Sequence, residues 1–297
     1  MRLKIALQKS GRMGKESLEL LERCGLSIVR SDRNLFLRIP EIPIDLLLVR
    51  NDDIIGFLEE KVCDLAIIGE DVFVEAKEAK EATLEKQSTD LEIIQRLGFA
   101  KCSLCLAVPE NSIYRCVQDL QGARIASSYP KTTASFLNQY EVECELVRME
   151  GSVEVAPRLG IADGISDLVS TGATLAANGM RVLEKIMSSE ALLIGATKRL
   201  SATQIAILEK LKVRIQGVIE AKKSKYIMLH APADSLEAIK NSLPGAKSPT
   251  ILPLANEKNI FAVHAVCDEE IFWETMEKLK SFGASAILVL PIEKMMT

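Results

Sequence analysis

Gly164-Ile165-Ser166-Asp167-Leu168-Val169-Ser170-Thr171-Gly172-Ala173-Thr174-Leu175 reads as three pieces in succession. Gly164 to Val169 is a short strand, Ser170 to Thr174 a loop of small hydroxyl residues around a glycine, and Leu175 onward a helix start. A strand that runs into a tight loop and then a helix is the building unit of α/β folds. The loop also has a chemistry. Its glycine lets backbone N–H groups turn inward, the Ser and Thr hydroxyls donate further bonds, and a following helix N-terminus adds the positive end of its dipole. Such a cradle suits a phosphate. Asp167, just before it, is a carboxylate able to accept hydrogen bonds from a sugar diol, and Glu154, behind Gly151-Ser152, is a second acceptor. The alternative is capping, with Ser152 and Ser170 as helix caps and Asp167 as a group that orients a turn.

The same alternation runs outward along the chain and predicts an α/β protein with largely parallel sheets. Toward the N-terminus, Leu3 to Gln8 is a strand, Lys9-Ser10-Gly11-Arg12-Met13-Gly14 a glycine-containing turn, and Glu16 to Cys24 a helix with Leu18 and Leu21 at helical spacing, stopped by Gly25. Ile44 to Val49, the loop Arg50-Asn51-Asp52-Asp53 and the helix Ile54 to Lys61 repeat the scheme. Leu65 to Ile68 is a strand that ends in Gly69-Glu70-Asp71. Glu75 to Asp90 is highly charged and reads as a surface helix and loop. Strands follow at Ala100 to Val108 and Ala123 to Ala126, the latter ended by Ser127-Ser128-Tyr129-Pro130. Beyond the cradle come the strand Ala191 to Ile194 and a helix from Ser201 to Gln216.

Past Ala221 the order changes. Lys225 to Leu229, a helix from Ser235, Thr250 to Leu252, Phe261 to Val266, a helix from Glu269 to Ser281 and Ala286 to Leu290 make a β-α-β-β-α-β series, that of a ferredoxin-like module.

Composition excludes several functions. With 37 basic and 41 acidic residues the net charge is −4, so no electrostatic footprint for nucleic acid or an anionic membrane exists, and an anion must be held locally. No apolar run approaches the roughly 18 residues of a membrane span, and the N-terminal run is too short for a signal peptide, which predicts a cytoplasmic location. The seven scattered cysteines suit reduced thiols. Cys102 and Cys105 lie three apart in a strand, on opposite faces, and are read as structural. His230 and His264, 34 residues apart, lack metal-ligand spacing. Trp273 and Phe272 are read as packing residues.

The run Glu150 to Leu175 resembles the signature of ATP phosphoribosyltransferases. Leu3 to Arg12, Arg50 to Ile54, Asp64 to Glu70, Arg124 to Pro130, Ser224 to Pro232 and Ile287 to Lys294 are similar to segments of that family in family order, so the likeness covers essentially the whole chain. It implies the long form of the enzyme. The fold would be a two-lobed catalytic part resembling periplasmic binding proteins, with residues 1–100 and 181–222 as lobe I and 101–180 as lobe II. A ferredoxin-like (ACT-like) regulatory domain would follow at 223–297.

The activity implied is condensation of ATP with phosphoribosyl diphosphate to phosphoribosyl-ATP, the first step of histidine biosynthesis, with Mg²⁺ carried on the substrate diphosphate. Ser170, Thr171, Gly172, Ala173 and Thr174 would hold the ribose 5-phosphate, and Asp167 and Glu154 the sugar. Lys9, Gly11 and Arg12, then Arg50 and Asp53, then Gly69, Glu70 and Asp71 would form three loops on the nucleotide and diphosphate side, with Lys9, Arg12 and Arg50 stabilising charge. Many members carry an Arg inside the cradle where this chain has Ala173, which shifts phosphate binding onto backbone, hydroxyls and helix dipole. Histidine, and AMP with it, would inhibit through a region including Ser248, Thr250 and Leu254, and the chain would assemble as a dimer to hexamer. A solute-binding or sensor protein is the rival reading, since two α/β lobes with a polar cleft can bind an anion without reacting with it. A structural assembly partner is another.

Overall fold

β1 (Leu3–Gln8) buries Leu3, Ile5, Ala6 and Leu7 completely, as a strand with helices over both faces of its sheet does. The computed structural model describes residues 1–29, 34–81, 90–243, 245, 248–255, 257–268 and 273–296. After β1 come α1 (Gly11–Arg23), β2 (Phe36–Arg38), β3 (Ile44–Val49), α2 (Ile54–Glu59), β4 (Leu65–Gly69), α3 (Glu70–Glu81) and β5 (Glu92–Arg96). The middle of the chain is β6 (Cys102–Pro109), β7 (Arg124–Ser127), α4 (Pro130–Gln139), β8 (Glu145–Arg148), β9 (Gly164–Val169), α5 (Ala173–Ala177) and β10 (Met180–Ser189). β11 (Ala191–Gly195) and α6 (Ala202–Lys222) lead to β12 (Ser224–Pro232), α7 (Leu236–Asn241), β13 (Thr250–Leu254), β14 (Glu257–Asp268), α8 (Trp273–Ser281) and β15 (Ser285–Pro291).

Three sheets result, in the orders β2-β3-β1-β4-β11-β5, β10-β6-β9-β7-β8 and β13-β14-β12-β15. In the first, β3, β1 and β4 are parallel, and β4 is buried from end to end. Each fully buried Leu or Ile on such strands contributes roughly 1.5–3 kcal/mol. The expectation of largely parallel sheets holds only in part. β11 runs antiparallel to β4 and β5, and β6 antiparallel to β9 and β10. The reason is connectivity: the chain passes between the sheets directly, through residues 97–101 and through Glu190, with no helix to bring the next strand back in parallel.

Several boundaries differ from those expected. α1 begins at Gly11 rather than Glu16, so the anticipated Lys9–Gly14 turn shrinks to Lys9 and Ser10, and Glu70 and Asp71 are the first turn of α3 rather than the end of a strand. Both first turns face a cleft and carry polar residues, so apolar periodicity could not mark them. β10 belongs to the second sheet, which moves the return to the first sheet from residue 181 to Glu190. That strand is a half-exposed edge with mixed charged and apolar residues and two register shifts, a weak strand signal. α3 covers the start of the charged 75–90 stretch, and residues 82–89 lie outside the described residues.

Two compact units divide the chain, Met1–Glu19 with Leu26–Leu208, and Leu20–Gly25 with Glu209–Thr297. The division falls within α1 and α6, earlier than the expected residue 223. The second unit has the ferredoxin-like strand order, all antiparallel, with Ile227, Leu229, Val263 and Ala265 packed on Ile239, Leu243 and Leu279. Trp273, expected to pack, is 76% exposed at the start of α8, and Phe272 lies outside the described residues. Among the described residues no helix is long and apolar enough to cross a membrane.

Candidate active site

β9 delivers the cradle. Its side chains are buried from Gly164 to Ser166 and half-buried from Asp167 to Val169, after which the chain turns through Gly172 into α5. Gly172 sits at φ +79° and caps the helix, a left-handed conformation that strains any residue with a Cβ. Leu175 is buried and anchors the turn, while Ser170, Thr171, Ala173 and Thr174 are exposed. Neither Ser170 nor Ser152 makes a side-chain cap bond, whereas the Thr171 hydroxyl accepts the Ala173 N–H at 3.5 Å. α5 has only five residues. The first-turn N–H groups, which have no partner inside a helix, therefore matter more to an anion than a long-range dipole.

Asp167, Glu154 and the cradle line one cleft of about 520 Å³. The Asp167 carboxylate accepts the Leu168 N–H at 2.8 Å. Its pKa is raised, first by burial and also by the neighbouring Glu154, while the Leu168 bond opposes the shift. Glu154 lies on a short 3-10 turn, Val153–Val155, entered through Gly151 and Ser152, both left-handed at φ +85° and +51°.

The first sheet supplies the facing wall. Of the residues expected there, Arg12, Gly69 and Asp71 line the cleft, joined by Gln8 and Asn51. Lys9, Gly11, Arg50, Asp53 and Glu70 do not. Lys9, Arg50 and Asp53 are exposed beside Gln8 and Asn51, whose side chains turn inward instead. Among the described residues Arg50 makes no ion pair with Asp52 or Asp53. Arg12 is held by Glu16 at 2.7 Å, and the other Glu16 oxygen accepts the Ala100 N–H at 3.1 Å. Glu70 is engaged by Arg96, which also reaches Glu190 at 3.1 Å, and borders an adjoining cavity of about 450 Å³.

Asp71 differs most from expectation. Its carboxylate is buried and both oxygens are occupied, one by the Ser189 hydroxyl at 2.5 Å and the other by the Tyr129 phenol at 2.7 Å. Burial and the Asp71 charge push the Tyr129 phenol up, so it stays a proton donor. A Cβ on Gly69 would stand 2.3 Å from an Asp71 oxygen, which explains the glycine. Cys102 also lines the cleft, its thiol pushed up by burial first and by Asp71 as well, whereas Cys105 is buried away from it.

Tyr129, Gln8 and Asn51 all fall inside segments that carried the family resemblance. Charge suggests chemistry and points to the neighbours Lys9 and Arg50, whereas which side of these strand ends and turns lines the cleft is set by the fold. Among the described residues no three His, Cys, Asp or Glu side chains gather to hold a metal. His264 is paired to the Tyr226 hydroxyl at 2.5 Å in the C-terminal sheet. Ser248, Thr250 and Leu254 lie on and just before β13, an edge strand, with Thr250 beside His264 in register.

A family model described as HisG: ATP phosphoribosyltransferase matches residues 50–217, and one described as HisG, C-terminal domain, matches 221–294. Among solved structures, the ATP phosphoribosyl transferase (HisG:HisZ) complex from Thermotoga maritima is 26% identical over 72% of this chain and 98% of that one, with a TM-score of 0.57. The periplasmic aliphatic sulphonate binding protein SsuA from Escherichia coli is 18% identical over 72% of this chain and 68% of its own, TM-score 0.45. Truncated arginine-bound ArgBP from T. maritima is 15% identical over 72% and 95%, TM-score 0.44. The first family model spans more than half of the chain and the second follows it, so this chain belongs to the ATP phosphoribosyltransferase family, in the long form with a C-terminal domain, and carries out the pentosyl transfer that opens histidine biosynthesis.

Proposed function

We propose that the cleft between the two sheets of the first unit is where ATP and phosphoribosyl diphosphate meet. The observation that carries this is the convergence of Asp167, Glu154 and the Ser170–Thr174 loop on one wall with Arg12 and Gly69 on the other. The loop takes the ribose 5-phosphate through N–H groups and the Ser170, Thr171 and Thr174 hydroxyls, and Asp167, ionised, accepts from the ribose hydroxyls with Glu154 beside it. N1 of the adenine attacks C1 of the sugar as diphosphate departs in line, through an oxocarbenium-like transition state that calls for positioning and charge stabilisation rather than covalent help. Arg12 is the cation for the departing diphosphate, exchanging Glu16 for it. Lys9 and Arg50, exposed at the rim, meet the triphosphate or diphosphate only once substrate extends past the wall.

Mg²⁺ is a hard cation that keeps water and phosphate oxygens as ligands. The cleft, lined by the carboxylates of Asp71, Glu154 and Asp167, would admit it on the substrate diphosphate, where it would supply charge neutralisation. Asp71 is better assigned to holding Tyr129 than to touching substrate.

Histidine, with AMP as a second inhibitor, acts through the C-terminal unit near Ser248, Thr250 and Leu254, in a cytoplasmic homo-oligomer between dimer and hexamer. Support for this part is the edge position of β13 and the ferredoxin-like sheet. Mixing the protein with ATP, phosphoribosyl diphosphate and Mg²⁺ and following adduct absorbance, with Thr174→Val and Asp167→Ala beside the wild type, tests the site. Unchanged kinetics in both variants would remove the assignment.

A further inference from the structure

α3 grips the second sheet at two points one helical turn apart. Asp71 takes the Tyr129 phenol at 2.7 Å. Glu75, on the same face, accepts the Lys131 N–H at 2.9 Å, the Thr132 N–H at 2.8 Å and the Thr132 hydroxyl at 2.7 Å. The segment gripped is the turn after β7 and the first turn of α4, whose N–H groups have no partner inside their own helix. Glu75 itself does not line the cleft.

The connection continues inward through hydroxyls that are wholly buried. The Tyr129 N–H donates to Ser127 Oγ at 2.8 Å, the Ser127 hydroxyl donates to the Ser166 carbonyl at 3.0 Å, and the Thr133 and Ser166 hydroxyls lie 2.8 Å apart. Ser166 is the neighbour of Asp167. The path from α3 to the strand that presents the sugar-binding carboxylate and the cradle thus runs from Asp71 through Tyr129 to Ser127 and Ser166, and Glu75 holds the helix turn that directly follows Tyr129.

We propose that Glu75 is a positioning residue for the transfer reaction. It sets how far the wall bearing Asp167 and the cradle stands from the wall bearing Arg12 and Gly69, and so aligns two substrates held on different walls. This rests on the reading of the cleft given above. Misplacement by about 1 Å can cost a reaction of this kind about 100-fold while each substrate still binds its own wall.

The experiment is steady-state kinetics on Glu75→Ala, Glu75→Asp and Glu75→Gln in the full chain, with ribose 5-phosphate titrated by calorimetry as a probe of the second-sheet wall alone. Glu75→Ala should lower kcat about 10- to 100-fold while both KM values and the ribose 5-phosphate affinity stay within about threefold. Glu75→Asp keeps the charge but is too short to reach the helix turn, and should match Ala. Glu75→Gln still offers an oxygen to Thr132 and should lose less than either. A kcat for Glu75→Ala within twofold of wild type overturns the proposal. So does a fall in kcat matched by an equal weakening of ribose 5-phosphate binding, the sign of a generally loosened second lobe. Failure of Thr174→Val to weaken ribose 5-phosphate binding would instead count against the cradle, and the kcat comparison among the Glu75 variants would still stand.

Discussion

The Asp71 carboxylate and the Tyr129 phenol are 2.7 Å apart and belong to different sheets, one residue at the start of α3 and the other just before α4. Asp71 is buried and Tyr129 half-buried, and Ser189 completes the carboxylate's bonding. Tyr129→Phe deletes the donor and leaves a buried charge one partner short, a loss of about 1.5–3 kcal/mol. Thermal or urea unfolding should register that loss, and kcat should fall with it. A variant as stable and as active as the wild type would show that the bond contributes nothing.

Gly69→Ala should act on the same carboxylate from the other side. The new methyl would sit 2.3 Å from an Asp71 oxygen, so either α3 or the Asp71 side chain must move, at a cost of about 1–3 kcal/mol. Lower stability together with lower kcat is expected. A crystal structure of the variant with the Asp71–Tyr129 bond intact and activity unchanged would contradict it.

The raised pKa of Asp167 makes the reaction sensitive to mild acid. The charged form is disfavoured by burial first and by Glu154 second, so the folded protein protonates Asp167 at a higher pH than the unfolded chain does. Sugar binding needs the ionised form. The kcat/KM for phosphoribosyl diphosphate should therefore fall as pH drops through a value above the ordinary one for an aspartate, and Glu154→Gln should move that inflection downward. For stability the sign is opposite: the folded state binds this proton more tightly, so the contribution is present at low pH and is lost as pH rises through the folded pKa. Asp167→Asn should thus be more stable than wild type at neutral pH although nearly inactive. A pH profile identical in wild type and Glu154→Gln would refute the coupling.

Thr174→Val removes one hydroxyl donor from the cradle and should raise the KM for phosphoribosyl diphosphate by about 10-fold, the value of one hydrogen bond to a charged group. Ala173→Arg adds the cation that many family members carry there and should lower it. Opposite or absent shifts measured by initial rates would mean the phosphate binds elsewhere.

Histidine inhibition is expected to reside in the C-terminal unit. Point changes that leave α6, with its buried Leu211, Ile215 and Val218, in place are the cleaner probe. Ser248→Ala with Thr250→Ala should weaken inhibition about tenfold and leave the uninhibited rate unchanged. Retention of full inhibition would locate the histidine site away from β13.

Much of this was legible in the residues themselves. β4 is an apolar run buried from end to end, and β1 and β3 are mostly apolar and mostly buried, so these strands look alike in a sequence and in a fold. The β-α-β-β-α-β order of the C-terminal unit and the Asp167-to-Thr174 strand, loop and helix are local patterns, written within a few residues of each other. The edge strands β2, β8 and β10 and the first turns of α1 and α3 were not legible, since half-exposed or cleft-facing segments carry no strong apolar period.

What the sequence by itself determined is the α/β class, the C-terminal ferredoxin-like module and the strand, loop and helix that form the cradle, all functions of neighbours along the chain. What only the tertiary structure decided is which polar side chains meet. Glu70 turned to Arg96, Arg12 to Glu16 and Asp71 to Tyr129 and Ser189, while Gln8 and Asn51 took the wall expected for Lys9 and Arg50. A hydrogen bond between residues 58 positions apart depends on where two sheets are brought together, and no local pattern of residue types carries that information.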